Sequence, residues 1–131
     1  MQTSKSRDKQ LLLKISQNQN NIKDVIKYFN CNESNLENCK YAFDLCAMYM
    51  AQIGEAAKML SIEQKNSFSY FDWKTTSYFR NMIDHVYEKV NPKLLKAYIY
   101  QMISTEVVSE ISNSIKNANF VPDKEENYEK D

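Results

Sequence analysis

Residues 36–60 read LENCKYAFDLCAMYMAQIGEAAKML, and their periodicity decides the fold. Leu36, Cys39, Phe43, Cys46, Met50, Ile53, Ala57 and Leu60 occupy eight successive a/d positions with no polar intruder. A 3.5-residue repeat of this length lays one apolar seam along about 37 Å of helix. Such a seam requires an antiparallel neighbour to cover it. Met48, Tyr49 and Met59 lie off the seam, so the helix is apolar on more than one side. That places it at the centre of a bundle or against a second subunit. Ser34, with Glu37 three residues later, reads as the capping box that opens it.

Upstream, Leu11, Ile15, Ile22, Val25 and Phe29 recur at steps of three and four, with Asn18 the one polar residue on the stripe. The spacing predicts a first helix over about 5–29, the natural partner of the seam. Residues 30–35 are a polar break. Downstream, residues 61–71 read as a loop or a short helical turn. Asp72 before Trp73 is an N-cap for a third helix reaching about residue 88, and Asn91-Pro92 opens a fourth. In that helix Leu95, Ile99, Ile103, Val107, Ile111 and Ile115 recur every four residues. Each step overshoots a full turn by about 40°, so the stripe winds round the helix and must change partners along it. From about residue 119 the chain reads as a polar tail. The expected organisation is all-α, an up-and-down bundle of four to five helices over 1–120 with an acidic flexible tail over 121–131.

Composition agrees with helices. One glycine and two prolines in 131 residues exclude a turn-rich β sandwich, a collagen-like repeat and a glycine-rich phosphate cradle. With 43 % hydrophobic and 26 % charged residues, the chain can bury a core. Seventeen basic and seventeen acidic residues cancel, and residues 1–120 alone carry about +3, too little for strong steering of a polyanion. Cys31, Cys39 and Cys46 are odd in number and contain no C-x-x-C pair, which fits reduced thiols and neither a disulfide framework nor a zinc ribbon. No apolar run approaches the roughly 18–20 residues of a membrane span, so the expected compartment is the cytoplasm, with no membrane partner.

Most catalytic equipment is missing. The sequence holds no P-loop, no G-x-S-x-G and no H-E-x-x-H, so no cofactor and no metal is expected. One stretch concentrates chemistry: Tyr78-Phe79-Arg80-Asn81-Met82-Ile83-Asp84-His85-Val86-Tyr87, which contains the sole histidine and one of two arginines. On a helix Asn81 would lie beneath His85, Arg80 would meet Asp84, and Asp84 would meet Tyr87. Met82, Ile83 and Val86 would pack inward. The bland interpretation is a surface ion pair beside a helix-end histidine. The chemical interpretation is phosphodiester cleavage without a metal. Histidine can take a proton from a ribose 2′-hydroxyl, and arginine can neutralise charge growing on the phosphoryl oxygens. Asn81 would orient the imidazole and Tyr87 would contact the phosphate. A straight helix sets Arg80 and His85 about 140° apart and about 7.5 Å along the axis. Either the helix ends near His85, or two subunits pool their motifs across a twofold axis.

These residues resemble the HEPN superfamily, specifically the HepT-like toxins of toxin–antitoxin pairs. Arg80-Asn81, His85 and Tyr87 reproduce the R-x4-H-x-Y motif. Ile53-Gly54-Glu55-Ala56-Ala57-Lys58 and Asp72-Trp73-Lys74 match further segments, and the likeness spans roughly residues 8–105. Two positions depart from the pattern: Tyr78-Phe79 stands where a small residue often precedes the arginine, and Val86 where an acid is common. The resemblance implies a homodimeric helical bundle that acts as a metal-independent endoribonuclease on an RNA substrate. In it Arg80 and His85 would be the catalytic pair, with Asn81 the polar residue beside the arginine. Tyr87 would be the position to which the cognate antitoxin, a minimal nucleotidyltransferase, transfers AMP. Gly54 permits close approach of a neighbouring helix, Asp84 backs the arginine, and Glu55 either faces the cleft or is solvated or cap-bonded. The competing expectation is a catalytically inactive dimeric helical module that binds a nucleotidyltransferase or a nucleic acid. A coiled-coil scaffold, with the seam paired between chains, is a third.

Overall fold

The computed structural model describes residues 4–69 and 71–104. Its α-helices are α1 (Ser4–Tyr28), α2 (Lys40–Met59), α3 (Ile62–Ser67), α4 (Trp73–Val86) and α5 (Pro92–Met102). Single 3-10 turns, Leu36–Asn38 and Tyr87–Lys89, precede α2 and follow α4. There is no strand among the described residues, so the fold is all-helical.

The a/d seam lies in the core. Leu36, Phe43, Cys46, Met50, Ile53, Ala57 and Leu60 are buried, and Cys39 is half-buried. Each fully buried large side chain contributes roughly 1.5–3 kcal/mol from the apolar surface it removes from water. Off the seam, Ala42, Ala47 and Ala56 are buried too, because α2 has neighbours on two sides. α1 and α4 make its principal contacts. Met48 and Met59 point outward.

Polar contacts fix the directions. The Asp8 carboxylate at the start of α1 accepts from the Ser61 amide (3.1 Å) and hydroxyl (2.6 Å), just past the end of α2, so α1 and α2 run antiparallel. The Ser61 hydroxyl in turn accepts from the Gln64 amide at 3.1 Å and caps α3. α4 runs back along α2, with Arg80 against Glu55 and Tyr87 against Asp44. α5 folds back on α4, the Tyr98 hydroxyl donating to the Asp72 carbonyl at 3.0 Å and its ring stacking on Phe79 at 5.2 Å. The buried Gln19 side chain donates to the Met102 carbonyl at 2.7 Å, satisfying one carbonyl at the end of α5.

Two of the expected helix starts are present. Asp72 accepts from the Thr75 amide at 3.0 Å, and Asn91 accepts from the Leu94 amide at 3.1 Å with Pro92 in the first turn. The capping box is not. The Ser34 amide and hydroxyl both donate to Asn32 Oδ1 (2.9 and 2.6 Å), and Glu37 pairs with Lys96 at 2.9 Å. Asn30, at φ 54, turns the chain left-handed, so the loop satisfies its own polar groups and α2 begins at Lys40, four residues later than the periodicity suggests. The stripe Leu95, Ile99, Ile103 is seen to the end of α5. Val107, Ile111 and Ile115, and the acidic tail over 121–131, lie outside the described residues. Among the described residues no helix is long and apolar enough to cross a membrane.

Candidate functional site

α4 is seated before its chemistry begins. The Trp73 indole N–H is shared between the Lys65 and Phe68 carbonyls, each at 3.1 Å, which locks the corner from α3. Thr76 is buried, its hydroxyl donating to the Asp72 carbonyl at 2.8 Å and touching the Tyr98 hydroxyl. Phe79 is buried against α5. With Thr76 and Phe79 turned inward, the next residue faces α2.

That residue is Arg80, and it meets the only glycine. A Cβ at Gly54 would stand 2.5 Å from Arg80 Cβ and 3.1 Å from the Thr76 carbonyl oxygen. Only a hydrogen fits there, so Gly54 sets how closely α4 approaches, as its composition alone suggested. The Arg80 side chain is 16 % exposed. Its Nε donates to Glu55 Oε1 at 2.7 Å, and Nη1 donates to Asn81 Oδ1 at 2.7 Å. Asp84 is a distant third partner at 3.9 Å. The remaining terminal nitrogen has no partner among the described residues and can meet an anion. The guanidinium holds the Glu55 carboxyl below its usual range.

His85 is exposed, and among the described residues its imidazole has no hydrogen-bond partner. α4 ends at Val86, whose backbone (φ −143, ψ 48) has left the helix. The helix ends one residue after His85, so Arg80 and His85 both belong to it and keep the separation of about 140° that straight helix imposes. Tyr87 begins the 3-10 turn and is half-buried, its hydroxyl donating to Asp44 Oδ1 at 2.5 Å. Lys40 pairs with Asp44 Oδ2 at 3.0 Å. The Tyr87 hydrogen bond, reinforced by Lys40, holds the Asp44 carboxyl below its usual range, while burial and the Asp44 charge push the Tyr87 phenol up.

Three local pairings differ from expectation. Asn81 orients Arg80 and not His85, because its carbonyl oxygen is taken by the guanidinium. Arg80 prefers Glu55 across the helix interface to Asp84 on its own helix. Tyr87 bonds to Asp44 and not to Asp84, because the helix ends between Asp84 and Tyr87. Met82 and Ile83 pack against the core as expected. Among the neighbouring tyrosines, Tyr98 is buried and Tyr100 half-buried, while Tyr78 is exposed.

Asp44 and Lys40 are the residues that the motif did not point to. Their signal is in the spacing: Asp44 and Glu55 are eleven residues apart, which is three helical turns to within about 20°. One face of α2 thus presents a carboxylate to each end of the motif. Among the described residues no group of three or more histidine, cysteine or acidic side chains could hold a metal ion. The three cysteines are free thiols, with Cys31 pushed up to about 11 and Cys46 to about 12, in each case chiefly by burial. Set against protein-family models, curated protein sequences and solved structures, the chain has no match.

Proposed function

We propose that this chain is a metal-independent endoribonuclease of the HepT-like HEPN type, with Arg80 and His85 as its catalytic pair. The observation that carries the proposal is the convergence on α4. Arg80 is pinned over Gly54 by Glu55 and Asn81, one nitrogen remains open to an anion, and an exposed His85 stands in the last turn of the same helix. In the reaction the imidazole takes the proton of a ribose 2′-hydroxyl and the 2′-oxygen attacks the adjacent phosphorus; the bond to the 5′-oxygen breaks, that oxygen leaves with a proton from water, and a 2′,3′-cyclic phosphate remains. Arg80 stabilises the charge that grows on the phosphoryl oxygens. Glu55 and Asn81 keep the guanidinium from collapsing elsewhere, so it is preorganised for that charge.

The proposal includes a homodimer. Tyr41 (72 % exposed) and Met48 (43 % exposed) lie on the outward face of α2, seven residues and two turns apart. A second copy across a twofold axis would cover them and bring a second arginine and histidine to the same cleft. It also includes the antitoxin: a minimal nucleotidyltransferase that transfers AMP from ATP to the Tyr87 oxygen, with pyrophosphate leaving and the phenol proton passing to solvent, and so sets an anion beside the RNA path.

The test is expression without an antitoxin, followed by cleavage assays on the purified protein. Wild type is expected to arrest growth and to cut RNA in EDTA, and Arg80→Ala and His85→Ala to abolish both effects. Equal tolerance of all three proteins, with no cleavage, would leave only a helical binding module.

A further inference from the structure

We infer that Asp44 is a positioning residue for the proposed nuclease site: through the Tyr87 hydroxyl it holds the turn that follows His85, and so sets where the imidazole stands. This inference rests on the nuclease proposal above. One residue after His85, at Val86, α4 ends, and only the three-residue 3-10 turn Tyr87–Lys89 follows, closed by Val90 N–H on the Tyr87 carbonyl at 3.0 Å. Such turns have poor hydrogen-bond geometry and little rigidity of their own. Tyr87 packs against the core, and its hydroxyl ties the turn to α2 by the 2.5 Å bond to Asp44 Oδ1. A phenol donating to an ionised carboxylate makes a bond roughly twice as strong as a neutral one. Lys40 occupies the other carboxylate oxygen at 3.0 Å, which leaves Oδ1 to the tyrosine.

The two carboxylates of α2 divide the work. Glu55 fixes the arginine, and Asp44, about 16 Å further back along the same face, fixes the chain that carries the histidine. Modification then has a mechanical consequence beyond crowding. An anionic group esterified to the Tyr87 oxygen removes the donated proton and places like charge against Asp44, so the turn is released.

The experiment uses a fluorescein-labelled single-stranded oligoribonucleotide and the NMR ring signals of His85, which is the only histidine and needs no assignment. Asp44→Ala and Tyr87→Phe are each expected to lower kcat about ten- to a hundredfold, the range for sub-ångström to ångström misplacement, with KM changed less than about twofold. The double variant should be no slower than either single one. Asp44→Asn retains a carbonyl acceptor and should recover most of the rate. The His85 signals should shift alike in Asp44→Ala and Tyr87→Phe and return toward wild type in Asp44→Asn. Multiplicative losses in the double variant, or His85 signals unmoved by Asp44→Ala beside an inactive Arg80→Ala, overturn the inference alone. If Arg80→Ala cleaves as wild type does, the nuclease proposal falls and the inference falls with it.

Discussion

Gly54 and Arg80 show how much one hydrogen atom can decide. The close approach of α4 to α2 depends on the missing Cβ, since a methyl group would stand 2.5 Å from Arg80 Cβ, an atom that cannot swing away. Gly54→Ala should therefore lower stability by about 1–3 kcal/mol, the usual cost of overpacking, despite its gain in helix propensity. Urea unfolding midpoints measure the first effect. RNA cleavage falling more steeply than stability would show that Arg80 itself has moved. The ionisable residues make a second expectation at this scale. Donors hold Asp44, Glu55 and Asp72 below the ordinary carboxylate range of about 4. Their folded pKa values are depressed, so the stability they add is present above that range and lost as pH falls through the folded values. Tyr98 is the mirror case: burial pushes it up to about 12, so its contribution is present below about 10 and lost as pH rises through 12. Unfolding midpoints plotted against pH should show a plateau bounded on both sides, and a flat profile at low pH would contradict the carboxylate contacts.

At the scale of the element, helix ends were more legible than helix partners. Asp72 and Asn91 stand at their starts with the side-chain bonds that their residue types allow. Replacing either by alanine should cost about 1 kcal/mol, the typical value for a lost N-cap, measurable as a shift in urea midpoint. Asp72→Ala should be the costlier, because the cap also precedes the Trp73 corner bonds. The Ser34–Glu37 pattern failed for a physical reason: a capping box competes with any other acceptor in reach, and Asn32 lies two residues away. The end of α4 was legible only as an alternative. Helical spacing pairs Asp84 with Tyr87, yet the helix stops before that pair can form, and Asp44 on another helix takes the hydroxyl.

For the whole molecule, the second apolar face of α2 carries the expectation. Its inner positions are filled by α1 and α4, while Tyr41 and Met48 remain outward. If a second copy covers them, sedimentation equilibrium should give twice the 15.4 kDa of one chain. Met48→Glu should then yield monomers, since burying a carboxylate without a partner is strongly unfavourable. A wild-type protein that sediments as a single chain at micromolar concentration would remove the shared cleft from the proposal.

Periodicity by itself determined that the fold is helical and that the 36–60 seam lies in its core. Those features depend on repeats of about 3.6 residues and on caps within four residues, which are local and written in order along the chain. What only the tertiary structure decided is which partner each polar group takes. Glu55 and Asp44 reach Arg80 and Tyr87 across 25 and 43 residues of sequence. A side chain bonds to the acceptor that packing brings within reach, and packing joins segments whose separation along the chain says nothing of their distance in space.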